Sequence, residues 1–177
     1  APSGGTPVMT YAVTLPLAGY SGWSFLKRTQ DRQMATFAKD PVVQRDETYF
    51  RGKISTVTTA EALVKDKRLL RVALRAYGLE GDVGKSYFIT KVLSDGTDAS
   101  TDLANKLSDK RYAQLADAFG FSDGSPATTN SGFTDTILQS YREQTFENAV
   151  GAVNVAYRTA LFAERQLPNM AASGSTE

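Results

Sequence analysis

The sequence predicts an all-α protein, a single compact multi-helix domain packed around a long C-terminal helix. Three observations predict this fold class. Apolar residues recur three and four positions apart through most of the chain, which is the spacing of one helix face. The segments marked in this way begin after Ser, Thr or Asp and end before Gly, the residues that favour helix caps. No segment shows the sustained alternation of apolar and polar residues that is typical of a half-buried strand.

The first two predicted helices are separated by a dipeptide that both stops and starts a helix. The first helix follows Ser21 and Ser24 and ends near Ala38. Asp40 suits an N-cap and Pro41 suits the first helical position, so a second helix is expected at once. This second helix is predicted over Val42–Ile54.

Caps also mark the helices in the middle of the chain. Thr58 and Glu61 have the spacing of a capping box, in which each side chain bonds a backbone N–H of the other residue. Asp66 is placed to cap the next helix, which is expected to stop at Gly78. Further helices are predicted over Lys85–Leu93, over Asp102–Leu107 and from Asp109 to Gly120.

The last predicted helix is the longest, from about Thr134 to Gln166. Its apolar and alanine positions form two neighbouring stripes, which is typical of a helix packed against several others. Gly151 lies in the middle and would cost about 1 kcal/mol relative to alanine, which indicates a close contact at that point. The sequence thus predicts a flexible segment over residues 1–14, a helical domain over 15–167 and a disordered tail over 168–177.

The composition excludes several classes of site. The chain contains no cysteine and no histidine. Disulfides, thiolate metal sites and cysteine nucleophiles are therefore excluded, and the commonest general base and metal ligand are absent. Lys and Arg number 20 against 19 Asp and Glu, so the net charge of +1 provides no overall attraction to nucleic acid or anionic membrane. We expect a protein that is not an enzyme, has no cofactor or metal, and does not bind nucleic acid.

Carboxylates acting alone are the remaining route to acid–base catalysis. That chemistry needs two acids facing each other in a cleft with well-separated pKa values. The acidic pairs of this chain are interpreted instead as surface or helix-capping residues. They are Asp46 with Glu47, Asp95 with Asp98, and Glu143 with Glu147.

Gly84-Lys85-Ser86 matches the end of a phosphate-binding loop of the Walker A type. The full motif needs a glycine five positions earlier, where this chain has Leu79, and a buried strand before the loop. A helix precedes it here, so the segment is interpreted as a helix start.

Two groups of residues are candidate interaction sites. Lys67, Arg68, Arg71 and Arg75 form the basic strip, whose arginines follow helical spacing. This strip could bind a phosphate, an acidic partner helix or a lipid head group, or it could be an ordinary solvated face. The second group is the segment that joins Tyr20 to the one tryptophan, Trp23, either as a docking segment or as a strap pinned to the bundle.

Six segments carry a resemblance that covers nearly all of the chain after about residue 14. They are LPLAGYSGWSFLKRT (15–29), QRDETYFRGKI (44–54), DKRLLRVALRAYGLEGDV (66–83), FITKVLSDGT (88–97), LANKLSDKRYAQLADAFGF (103–121) and YREQTFENAVGAVN (141–154). Taken together, these segments resemble an uncharacterised alphaproteobacterial protein family whose genes often lie among flagellar genes. The resemblance implies a helical protein and a motility context, without a catalytic site.

These observations lead to one functional hypothesis and one alternative. The first is a non-enzymatic structural or regulatory factor of flagellar assembly or motility that binds a protein partner, with a flagellar component as the candidate. The alternative is a helical domain that binds a small ligand or anion at the arginine strip or at a helix start. The chain shows no signal peptide, in which a basic start is followed by an apolar stretch, and no run of roughly 20 apolar residues. We therefore expect no membrane span and a cytoplasmic location, with association with the flagellar base as an implication of the resemblance.

Overall fold

The structure is a computed structural model that describes residues 19–173. These residues form α-helices and short 3-10 turns and contain no β-strand, which confirms the predicted all-α fold class. The predicted flexible segment over residues 1–14 lies outside the described residues. The helices are α1 (Gly19–Phe37), α2 (Pro41–Lys53), α3 (Ala60–Lys65), α4 (Lys67–Ala76), α5 (Ser86–Asp95), α6 (Leu103–Lys106), α7 (Arg111–Phe119), α8 (Phe133–Val153) and α9 (Val155–Ser173).

Contacts within the chain group its described residues into two units. We call residues 43–144 the central unit, and residues 19–42 together with 145–173 the terminal unit. The central unit contains α3 to α7, most of α2 and the first part of α8. The terminal unit contains α1, the last part of α8 and α9.

The central unit is built from short helices that start and stop at the caps encoded locally. The carboxylate of Asp66 accepts hydrogen bonds from the backbone N–H of Arg68 and of Leu69 at 3.1 and 3.2 Å, as predicted. Gly78 and Gly120 both have positive φ just after a helix, the conformation in which glycine has no steric cost. These caps define where α4 begins and ends. Most of its side chains are buried in the core.

The N-cap of α3 differs from the prediction by one residue. Thr59 caps the helix, since its hydroxyl accepts a hydrogen bond from the N–H of Ala62 at 3.1 Å. Thr58 lies outside the helix. The sequence offers two adjacent threonines with equal capping chemistry, and the register of the buried residues Ala60 and Leu63 selects the second.

The terminal unit joins α1 to the C-terminal part of the chain. The rings of Phe37 and Phe146 meet edge to face, with centroids 6.1 Å apart. Near the start of α1, the hydroxyl of Tyr157 donates to the carbonyl of Gly19 at 2.5 Å. Helix α1 begins at Gly19, before the predicted start after Ser21.

The helix predicted from Thr134 to Gln166 is two helices in the structure, because the chain bends at Asn154. The Asn154 side chain caps α9 by accepting hydrogen bonds from the N–H of Ala156 and of Tyr157 at 3.0 and 3.4 Å. The periodicity of the apolar residues continues across this point, so only the capping role of asparagine could have indicated the bend.

Helix α9 continues to Ser173, so its backbone extends into the segment 168–177 for which disorder was predicted. Methionine and alanine, which follow Pro168, are good helix formers. Among the described helices, none combines the length and the apolar content that crossing a membrane requires.

Candidate interaction surface

The centre of the candidate surface is an arginine stacked on a tyrosine. The guanidinium carbon of Arg68, at the start of α4, lies 3.9 Å from the centroid of the Tyr49 ring on α2. The ammonium group of Lys53, one turn after Tyr49, lies 5.4 Å from the same centroid. A planar guanidinium over an aromatic face is held by cation–π attraction, and its edge keeps N–H donors directed away from the ring.

Asp66 fixes the position of the ring beneath Arg68. The Tyr49 hydroxyl donates a hydrogen bond to the Asp66 carboxylate at 2.7 Å. This bond, with burial and the nearby negative charge, raises the pKa of Tyr49 above its usual value. Burial acts to raise the pKa of Asp66, but the hydrogen bonds from Tyr49 and from the N-terminus of α4 outweigh it, and the pKa is lowered. At neutral pH the tyrosine therefore donates and the aspartate stays ionised, so the contact is stable.

The other members of the basic strip divide into three situations. The ammonium group of Lys67 donates to the Ser86 hydroxyl at 2.7 Å and to the Val83 carbonyl at 3.3 Å, which fastens α4 to the start of α5. Arg75 forms an ion pair with Glu80 just after α4. Arg71 is exposed, and no hydrogen bond or ion pair of its side chain occurs among the described residues.

A depression of about 520 Å³ lies beside the stacked pair and is open to solvent. We call this depression together with Arg71 the basic surface. Residues 45–75 carry eight basic and four acidic side chains, a net charge of +4 in a chain whose total is +1. The depression is lined by Tyr49, Ala62, Lys65, Asp66, Lys67 and Arg68.

The acidic side chains in this part of the chain are largely occupied by internal partners. Glu47 is buried and accepts a hydrogen bond from Arg142 Nη2 at 2.6 Å, within an ion pair. Asp46 accepts a hydrogen bond from the Tyr141 hydroxyl at 2.8 Å. The interpretation of this pair as surface residues is therefore wrong for Glu47. The surface that remains is basic because Asp46, Glu47 and Asp66 have internal partners, which leaves Glu61 on α3 as the exposed acidic side chain among residues 45–75.

Members of the other two predicted acidic pairs also have partners within the chain. Glu147 is buried and paired with Arg165 at 2.8 Å, so its interpretation as a surface residue is wrong as well. Glu143 accepts a hydrogen bond from Gln139 at 3.1 Å, and Asp95 is paired with Lys91 at 2.7 Å. Among residues 19–173 there is no group of three or more carboxylates placed to hold a metal ion.

Tyr20 and Trp23 lie in the terminal unit and have different environments. Trp23 is half-buried, with its ring centroid 5.7 Å from that of Tyr157 and the Lys27 ammonium 5.7 Å away. Tyr20 is 84% exposed. Trp23 thus packs α1 against α9, whereas Tyr20 projects from the first turn of α1. The interpretation of this segment as an extended strap before the first helix is wrong, because Tyr20 and Trp23 both lie within α1.

Three residues near the basic strip are not selected by sequence reasoning. Tyr49 is a core candidate by its spacing, and Lys65 and Tyr87 do not stand out. Tyr87 is 83% exposed in the first turn of α5, next to the Ser86 hydroxyl that Lys67 contacts. The four-residue spacing of Tyr49 and Lys53 on one helix was the available signal, but their approach to Arg68 depends on how α2 packs on α4.

Gly84 and Lys85 lead directly into α5, which begins at Ser86. The segment that precedes them is a 3-10 turn, Glu80–Asp82, and no strand leads into it among the described residues. The interpretation of this segment as a helix start is confirmed.

These features define a helical protein with a preorganised basic surface on its central unit. Residues 76–175 match the family described as "Protein of unknown function (DUF1217)", and the chain belongs to this family. The predicted resemblance to an uncharacterised helical family is thereby confirmed in its coarse form. The match starts at Ala76, so the basic surface lies before the matched residues.

The fold is also found in a solved protein. The chain is similar to a structural genomics target from Agrobacterium tumefaciens whose crystal structure is known, with a TM-score of 0.78 and 32% sequence identity. The similarity covers 90% of this chain and 72% of the other. No curated protein matches the sequence.

Proposed function

We propose that the chain is a non-enzymatic binding factor that takes an acidic segment of a partner protein on the basic surface of its central unit, in the context of flagellar assembly or motility. The observation that carries the proposal is the stacking of Arg68 on Tyr49 at 3.9 Å.

The stacked arginine is already ordered before a partner arrives. Its aromatic support is held by Asp66, so little side-chain freedom remains to be lost on binding. Its outward N–H edge suits a carboxylate, which a guanidinium can bind with two parallel hydrogen bonds. Arginine and tyrosine are also the residues enriched among the strongest contributors to protein interfaces.

The charge of the surface favours an acidic partner. Lys65, Arg68 and Arg71 project near one another, while Asp46, Glu47 and Asp66 are engaged internally. Such a surface accelerates encounter with an acidic partner and makes binding sensitive to salt. Exposed Tyr87 provides an aromatic anchor on the neighbouring helix α5.

The flagellar context is proposed from the family resemblance of the sequence alone, which implies that related genes lie among flagellar genes. The absence of histidine and cysteine from the chain and the pairing of Glu47 and Glu147 with arginines support a binding role over catalysis.

The proposal is tested with charge reversal at the surface. A deletion strain would be complemented with wild type, with the double variant Arg68→Glu and Arg71→Glu, or with Lys106→Glu. Lys106 is an exposed lysine on α6, and Lys106→Glu is the control for a charge reversal outside the basic surface. We expect the double variant to restore swimming poorly and Lys106→Glu to restore it fully. Normal swimming of the deletion strain would refute the motility context.

The binding step is measured separately from motility. Purified wild type and the same variants would be used to recover partners from motile cells at low and high salt. We expect the double variant to recover the partner at least about tenfold less well, and the wild-type signal to fall with salt. Recovery of the same proteins by all three chains would exclude the basic surface as the contact.

A second candidate function is binding of a small anion, which the depression beside Arg68 favours. Inorganic phosphate and a short dicarboxylate are suitable probes. A rise in melting temperature with either probe, abolished by Arg68→Glu and preserved by Lys106→Glu, would support this function instead of protein binding.

A further inference from the structure

The link between α8 and α9 in the terminal unit is very short for the reversal it makes. Only Asn154 separates the two helices. The Arg165 guanidinium contacts the Glu147 carboxylate at 2.8 Å, and 18 positions of the sequence separate the two residues. In one continuous helix these residues would be about 27 Å apart along the axis. Helix connections in bundles usually take about 2–8 residues.

The two helices are closely apposed at this bend. A Cβ atom added to Gly151 would lie 2.5 Å from Cδ of Arg158. The first turn of α9 therefore lies directly against the last turn of α8. The close contact predicted at Gly151 exists, and its partner is the side chain of Arg158.

The backbone hydrogen bonds around Asn154 keep an α-helical pattern in spite of the bend. The N–H of Asn154 already donates to the Val150 carbonyl at 2.8 Å, and the N–H of Arg158 donates to the Asn154 carbonyl at 3.3 Å. Both are the i to i−4 bonds of an α-helix. Straightening would exchange the cap bonds of the Asn154 side chain for ordinary helical bonds. The apolar and alanine periodicity of the sequence from Thr134 to Gln166 suits such a continuous helix.

The contacts that hold α9 in place are side-chain contacts between separate helices. Lys27 pairs with Glu164 at 2.5 Å, and Trp23 packs against Tyr157. A second copy of the chain could make every one of them, because both sides of each contact would be supplied unchanged. Exchange of an identical element between copies changes only the hinge and the cost of association, and short links favour it.

We propose that Asn154 is a hinge, and that its opening lets α9 of one copy pack onto α1 of a second copy in a domain-swapped dimer. The bent monomer and the swapped dimer interconvert with protein concentration. The hinge lies in the terminal unit and does not depend on the basic surface, which lies in the central unit.

If Asn154 is the hinge, Asn154→Ala should shift the equilibrium between monomer and swapped dimer by a predictable factor. The substitution removes the cap of the bent form and leaves the continuous helix intact. Loss of one helix cap changes an equilibrium by roughly fivefold. Because a swapped dimer contains two hinges, its dissociation constant is expected to fall roughly 25-fold.

The experiment uses the fact that the chain has no cysteine of its own. Lys27→Cys and Glu164→Cys would be made in separate full-length chains of different tag length. The two would be mixed at high concentration, equilibrated, diluted and treated with a bismaleimide long enough to replace the Lys27–Glu164 pair. We expect a covalent heterodimer, and more of it when both chains carry Asn154→Ala.

Two controls make the outcome decisive. In the first, Ala163→Cys replaces Glu164→Cys at the adjacent exposed position, and the yield of heterodimer should fall. In the second, two glycines inserted after Asn154 relax the bend, and the heterodimer should be lost. One chain carrying both Lys27→Cys and Glu164→Cys verifies the reach of the reagent through its internal cross-link.

The proposal is overturned if the double-cysteine chain cross-links internally while the mixed chains give no heterodimer, whether or not they carry Asn154→Ala. It is also overturned if the Ala163→Cys and glycine-insertion controls give the same yield as the test pair, since random collision would then explain the product.

Discussion

The central and terminal units are stabilised in different ways. In the central unit, α3 to α7 are short, each is close in sequence to its neighbours, and caps such as Asp66 set their ends. In the terminal unit, α1 meets residues more than 100 positions away through the pairs Phe37–Phe146 and Lys27–Glu164. The helix ends of the central unit are therefore set largely by local signals, whereas the position of α1 in the terminal unit depends on contacts with residues that are distant in the sequence.

The largest expected effect is in the core of the central unit. Leu70 on α4 is completely buried, and Leu70→Ala should lower the free energy of unfolding by about 3 kcal/mol through lost burial and the cavity left behind. Urea unfolding followed by circular dichroism measures it. Leu167→Ala on α9 is the control, since Leu167 is 59% exposed and should change stability by less than about 0.5 kcal/mol. Equal losses would show that the burial of Leu70 in α4 does not account for its contribution to stability.

The next effect tests the terminal unit. Glu147→Gln would replace the ionised partner of the Arg165 guanidinium with a neutral amide in a largely buried site. Removing one member of a buried pair costs more than the pair contributes, and partial exposure of Arg165 reduces the loss to about 2 kcal/mol. Glu143→Gln, four positions earlier on α8, is the matched control and should change stability little. If both substitutions have the same effect in thermal unfolding, the ion pair does not hold α9.

A smaller effect is expected from replacing glycine by alanine in the central unit, where a steric clash can be distinguished from backbone strain. Gly96 and Gly124 have φ values of 74° and 75°. A Cβ on Gly96 would overlap the Ser122 hydroxyl, whereas nothing lies within 4 Å at Gly124. Gly124→Ala should cost about 1 kcal/mol from backbone strain alone. Gly96→Ala should cost more, because its ψ of −147° lies in a region that is essentially restricted to glycine and because its Cβ would overlap Ser122. Gly96→Ala combined with Ser122→Gly should recover only the steric part of this loss in chemical unfolding.

The parts of the fold that can be predicted from the sequence are those determined by residues within one helical turn of each other. The caps at Asp66, Gly78 and Gly120 involve neighbouring residues only, and they lie where they were expected. The bend at Asn154 was missed because periodicity records which face is apolar and does not record where a helix reverses.

At the candidate site, too, contacts that depend on tertiary packing could not be predicted from the sequence. Arg68, Arg71 and Arg75 share a helix in the sequence, but the structure gives them different roles. Arg75 is paired with Glu80, which lies five residues on, and Arg68 is stacked on a tyrosine 19 residues earlier. A basic strip can be counted from the sequence, but which of its cations are already occupied depends on the packing of α2 and of the segment after α4.

The smallest expected effect concerns acid stability and an ion pair of the central unit. The side chain of Arg111 hydrogen-bonds Asp109, and this interaction, helped by the Arg111 backbone N–H and its charge, lowers the pKa of Asp109 below its usual value. The same guanidinium donates to the Gly78 carbonyl at 2.8 Å, so it links the start of α7 to the end of α4.

The sign of the pH dependence follows from this lowered pKa. An unfolded aspartate binds its proton near pH 4, and the folded one only at a lower pH. The stabilisation is therefore complete above about pH 4 and is lost as the pH falls through the folded pKa. The Asp109 side chain is 36% exposed and that of Arg111 is 42% exposed, so the contribution is only a few tenths of a kcal/mol. Asp109→Asn should unfold more readily than wild type at pH 6 and lose less stability between pH 5 and pH 2, as measured by urea midpoints across that range. Asp98→Asn makes the same charge change at an exposed loop position. If it reduces the acid sensitivity equally, net charge, and not the Asp109–Arg111 pair, is responsible.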